Sequence, residues 1–172
     1  MPQEQEYSSK IEHLFEKINI YDGVESFFAS IKHVPHPVLL LYAAHFCLSE
    51  VHNGGFLQLF WNSTGVLVPE AIDGYEALGM PTLAETFTSA AGVLGSTYPR
   101  DREVRWDALL NASKRSEDEL AEIFQSAKNL YIGYAKATAT LPFDVLNREA
   151  WRLAESENGG FQERAVSYGA AL

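Results

Sequence analysis

The feature that most limits how this chain can fold is a double glycine set between two apolar runs. Residues 38–47 form the longest apolar run of the sequence, interrupted only by His45. They lead into residues 50–65, EVHNGGFLQLFWNSTG, where Gly54 and Gly55 separate the first run from the aromatic segment 56–61. A helix that is apolar nearly all round belongs in the middle of a core. Asn-Gly-Gly is a helix-ending signal, because Asn53 can take the last position and a glycine can adopt the positive φ at which the chain turns. The stretch predicts a central helix over about 37–53, a hinge, and an aromatic helix that re-enters the same core at Phe56.

The remaining segments are helical in pattern. Residues 4–20 place Ile11, Leu14, Phe15 and Ile18 at spacings of three and four, and Val24, Phe27, Phe28 and Ile31 repeat the pattern behind a capping Asp22. Pro35 and Pro37 then break the chain. A helix over 69–79 opens on Pro69 and closes on Gly79, and another runs from Pro81 to Leu94. One more opens at PRDRE, residues 99–103, with Arg102, Arg105 and Trp106 on adjoining positions. Ser116 with Glu119 is a capping box that starts the longest helix, to about Thr138, and residues 142–157 form the last clear one. No segment sustains the two-residue alternation of a strand. No low-complexity linker divides the 172 residues. The expectation is an all-α, single-domain multi-helix bundle of about eight to ten helices over residues 1–172.

Charge and cysteine usage narrow the function classes. The apolar run 38–47 is too short to cross a bilayer. The polar, acidic start MPQEQEYSSK lacks the pattern of a secretory leader, and the lone Cys47 cannot form an intramolecular disulfide. Both fit a cytoplasmic protein. Net charge is −10, so the chain has no basic stripe with which to neutralise phosphates, and direct nucleic-acid binding is not expected. Residues 33–99 contain no lysine or arginine but hold Glu50, Glu70, Asp73, Glu76 and Glu85. Negative potential is therefore expected on whatever face this region presents.

Catalytic and metal readings find little purchase. His33 and His36 flank Pro35 with no third ligand nearby, which suits a polar turn better than a metal site. His45, Ser49 and His52 share one stripe of the central helix, but His45 and His52 lie two turns apart, about 10 Å, too far to share one ion. Cys47 sits on another face, which excludes a Cys/His nucleophilic pair within the helix. The stripe reads as core, interface or the wall of a cleft. On the last reading, His45, His52 and Glu50 would serve a small-molecule enzyme. No catalytic, cofactor-binding or metal-ligating residue is assigned.

The letters N-G-G-F recur at residues 158–161, again with a glutamate three places before the asparagine, Glu50 and Glu155. The match extends no further and reads as a repeated helix-ending device. Either glutamate could pair structurally with Arg102 or Arg105. The combination of E-x-x-N-G-G-F-x-Q (Glu50, Asn53, Gly54, Gly55, Phe56, Gln58) with WNSTG at 61–65, YEALGM at 75–80 and PRDREVR at 99–105 resembles a bacterial family of domains of unknown function. Its best-known relative is an acidic, dimeric DNA-mimic protein. The resemblance covers residues 40–110 best. It implies an all-helical fold with no known cofactor, motif residues that determine the fold, a homodimer and, for the mimic, a basic DNA-binding protein as partner.

Mimicry has a geometric requirement. Phosphates recur about every 3.4 Å along one strand, and helix residues three or four apart hold their β-carbons about 5–6 Å apart. Glu70, Asp73 and Glu76 form one such row, and Glu117, Asp118, Glu119 and Glu122 form a second cluster beside Lys114 and Arg115. These acids are the candidate interaction surface, and a solvated helix face is the plainer alternative. An acidic helical surface would also suit a toxin-neutralising or scaffold protein.

Overall fold

The computed structural model describes residues 4–113, 116, 118, 119, 122 and 143–172. The fold is all-α. The described residues form helices α1 (Glu4–Ile11), α2 (Val24–Ile31), α3 (His36–Trp61), α4 (Val68–Ala77), α5 (Pro81–Gly92), α6 (Arg102–Ser113), α7 (Phe143–Ser156) and α8 (Phe161–Ala170), with no strand among them. Tight 3-10 turns occupy Glu12–Leu14, Ser63–Leu67 and Glu157–Gly159. No helix among the described residues is long and apolar enough to cross a membrane.

Helix α3 is the hub. It packs against α4, α7, α6 and α1, and its apolar residues from Leu39 to Phe60 are buried on every side except for the half-buried Phe46. The expected hinge is a kink inside it, where Gly54 and Gly55 leave helical geometry and Gly55 takes φ +69° with ψ −176°. Beyond the kink, Phe56 and Phe60 join Phe87 of α5, Phe143 of α7 and Tyr75 of α4 in one aromatic cluster. Ring centroids there lie 4.8 Å apart for Phe56–Phe87, 4.6 Å for Tyr75–Phe87 and 5.6 Å for Phe60–Phe143. All five rings are fully buried, and each removes on the order of 150–250 Å² from water. The kink turns a second run of aromatics into the core that the first half of α3 begins.

Several sequence expectations change in detail. Residues 4–20 form α1, a 3-10 turn and a loop instead of one helix. Ile11, Leu14 and Ile18 are buried, but Phe15 is 48% exposed, its ring against Phe46 and Tyr42. Phe28 of α2 is likewise 47% exposed while Phe27 is buried. Gly23, not Asp22, occupies the cap of α2, and the Asp22 carboxylate accepts from Asn19 instead. Helix α8 gives no clear apolar pattern in the sequence, because its inward face is only Phe161, Ala165 and Gly169. The Ser116–Glu119 capping box is present, each side chain accepting the other's backbone N–H. The stripe expected after it, from Leu120 to Tyr134, lies outside the described residues.

Candidate functional site

The first N-G-G-F copy is fixed from three sides. On α7, Asn147 Oδ1 accepts the Phe56 N–H at 2.9 Å, supplying the partner that the kink removes from the helix ladder. A Cβ on Gly55 would stand 2.7 Å from that same amide group. Glu50, one turn before the kink, accepts from Gln58 Nε2 at 2.7 Å, Asn62 Nδ2 at 3.1 Å and Thr64 Oγ1 at 2.8 Å. E-x-x-N-G-G-F-x-Q is thus a polar brace across the kink, its glutamate tied to amides and a hydroxyl and not to an arginine as expected.

The arginines close the end of α3. Helix C-terminal carbonyls lack internal partners and carry the negative end of the dipole, so cationic donors suit them twice over. Arg105, 1% exposed, donates to Phe60 O at 3.0 Å, Asn62 O at 3.0 Å and, more closely, Arg100 O. Arg102 Nε and Trp106 Nε1 both donate to Trp61 O, at 3.1 and 2.9 Å, and Trp61 stacks on Trp106 with centroids 4.8 Å apart. Asp101 caps α6 by accepting the N–H groups of Glu103 and Val104. Gly65 leaves room for this arrangement, since a Cβ there would lie 2.7 Å from Arg105 Nε. The spacing between WNSTG and PRDREVRW is therefore that of a helix end and the segment that caps it.

The second copy performs a different task. Asn158 takes the left-handed conformation, φ +51° and ψ +34°, and its Nδ2 donates to Gly79 O at 2.6 Å. Its neighbour Glu157 accepts the N–H groups of Thr82 and Leu83 at 2.8 and 2.9 Å, capping α5 from across the fold where Met80 offers no side-chain cap. Arg164 Nε reaches Leu78 O at 2.7 Å. Together these clamp the α4–α5 junction. Glu155, the counterpart of Glu50, is exposed.

The three residues of a supposed His/Glu cleft go to three separate sets of partners. Glu50 is held as above. His45 Nδ1 lies 3.0 Å from the Tyr7 hydroxyl. His52 lies against Trp151, ring centroids 4.5 Å apart, and Ser49 faces solvent. Cys47 is wholly buried. Burial, followed by the fields of Glu50 and Glu70, pushes its thiol pKa well up against the opposing pull of Arg105, so it is a packed group and not a nucleophile. No group of three His, Cys, Asp or Glu side chains among the described residues is placed to hold a metal ion.

These helix-end contacts involve the motif letters, and all of those letters lie inside the stretch that matches known proteins. A model of the DMP19-like protein family covers residues 32–168. The chain belongs to that family. The match extends well beyond the 40–110 region where the resemblance is clearest by eye, taking in α3 to α7 and most of α8. No curated protein and no solved structure matches the chain.

The acidic row on α4 divides in two. Glu70 is 9% exposed and turned inward, where Arg100 grips it through both guanidinium nitrogens at 2.8 and 2.9 Å while stacking over Phe28. It is not part of an exposed surface. Its place in the row is overturned by a partner thirty residues away that the helix pattern cannot reveal. Asp73 and Glu76 are exposed, as are Glu85 on α5 and Asp118, Glu119 and Glu122 in the second cluster. Glu117 lies outside the described residues. The ion pairs found among the described residues are Arg100–Glu70 and Arg152–Glu149, and neither involves Asp73, Glu76, Glu85, Asp118 or Glu122.

Proposed function

We propose that this protein is an acidic, non-enzymatic interaction module that occupies the DNA-binding surface of a basic DNA-binding protein. The observation that carries the reading is the fate of its positive charge. Arg100, Arg105 and Arg164 are turned onto Glu70 and helix-end carbonyls, and Arg102 is stacked on Trp106 while donating to Trp61 O. Exposed acids such as Asp73, Glu76 and Glu85 thereby keep their charge without a paired cation. Carboxylates left in this state attract a Lys/Arg surface, and the attraction weakens as salt screens it. Family membership and the −10 net charge support the same reading. The expected form is a homodimer in the cytoplasm. Sedimentation should give twice the 19.2 kDa chain mass, and a monomer mass would contradict the dimer. Capture from native lysate on the immobilised protein tests the partner. A basic DNA-binding protein should be retained at low salt and released at high salt, and recovery of none would overturn the proposal.

A further inference from the structure

Beside the kink of α3, one ring nitrogen is buried without a hydrogen-bond partner. It is Nε2 of His52. His52 is the second residue before Gly54, and α7 presents to this region a stripe at four-residue spacing. Asn147 holds the Phe56 N–H, Trp151 covers the His52 ring, and Glu155 lies a turn further on. Four-residue spacing keeps the three on one face of α7, so the kink and the histidine are gripped together. A neutral imidazole packs against an indole at little cost. A protonated one brings a charged N–H into a place with no acceptor, and a buried donor without a partner is expensive.

We propose that His52 makes the grip of α7 on the α3 kink acid-labile, so that protonating this one ring loosens α7 from the kink. Glu155 is the charged group of α7 whose field reaches the ring, and it favours protonation. Burial opposes it more strongly and holds the pKa of His52 below the ordinary 6.5. Arg152 is paired with Glu149, and Glu50 on α3 itself is committed to Gln58, Asn62 and Thr64. With the folded-state pKa lowered, the contribution of His52 to stability is complete above pH 6.5 and is lost as pH falls below it.

The test follows the histidine Cε1–H resonances of the wild type by NMR, with His52→Phe, which keeps a ring against Trp151, as the assignment and comparison variant. His52 should titrate below 6.5. The wild type should lose more of its unfolding midpoint between pH 7.5 and 5.5 than His52→Phe. At pH 5.5 the Phe56 amide should exchange with solvent faster in the wild type than in the variant. A His52 midpoint at or above 6.5, or equal pH losses in the two proteins, overturns the proposal. Should His52→Phe not fold, the wild-type titration alone decides, with His52 assigned through its contact to Trp151.

Discussion

The two N-G-G-F copies share four letters and a preceding glutamate, yet the fold uses them for different tasks. At residues 53–56 the glycines bend a helix that continues on the far side, and Glu50 and Asn147 brace the bend. At residues 158–161 a helix ends, and Asn158 and its neighbour Glu157 reach outward to clamp a different junction, that of α4 with α5. In the first copy the asparagine is exposed and the glutamate engaged. In the second the asparagine is engaged and the glutamate exposed. A short motif therefore specifies a backbone turn, and the buried or exposed setting decides which of its side chains matter.

The largest expected effect concerns the brace at the end of α3. Arg105→Met keeps the aliphatic stem but strands three carbonyls, and should cost about 3–5 kcal/mol, read as a large fall in the urea midpoint. A cost near zero would mean that the end of α3 does not depend on its cap. Next come the paired glutamates: Glu50→Ala removes the acceptor of three donors and should cost about 2–3 kcal/mol, whereas Glu155→Ala should stay within about 0.5 kcal/mol. Equal losses would erase the distinction between the copies.

The glycines sharpen the comparison through coupling. Gly55 and Gly160 both combine positive φ with extended ψ, a region essentially closed to other residues, and alanine at either should cost about 1–3 kcal/mol. The added Cβ at Gly55 meets the Asn147 side chain, while that at Gly160 meets the Glu155 backbone carbonyl at 2.8 Å. Asn147→Ala should therefore relieve part of the Gly55→Ala loss in a double-mutant cycle, and no truncation of Glu155 should relieve Gly160→Ala. Strictly additive Gly55 and Asn147 effects would break the account of the kink. The smallest contrast is between the asparagines. Asn158→Ala should cost about 1 kcal/mol, and Asn53→Ala should be close to neutral in the same thermal melts.

Much of this architecture is legible in the sequence because it depends on local rules. Pro69 and Gly79 bracket α4, Ser116 and Glu119 form their box, and Gly54-Gly55 marks the bend. What escapes is set by residues far apart in the chain. Glu70 looks like one of a row with Asp73 and Glu76, but it lies beside the inward Ala71, Gly74 and Tyr75, and Arg100 draws it in. Glu157 caps α5 across 74 and 75 positions, which no spacing pattern reports. Helix α8 packs a phenylalanine, an alanine and a glycine, with Gly169 pressed close to Tyr7, a face too small in side-chain volume to register as apolar periodicity.

Both junctions consume arginines in holding the fold. Exposed acids such as Asp73, Glu76 and Glu85 carry no paired cation among the described residues, and there the proposed partner would dock. That division of charge is the central claim, and displacement by DNA tests it most directly. A basic DNA-binding protein captured on the immobilised chain should be released by added double-stranded DNA. It should be retained less well by the Asp73→Asn, Glu76→Gln double variant, whose thermal melt should be unchanged. Retention indifferent to both DNA and these neutralised acids would contradict the account.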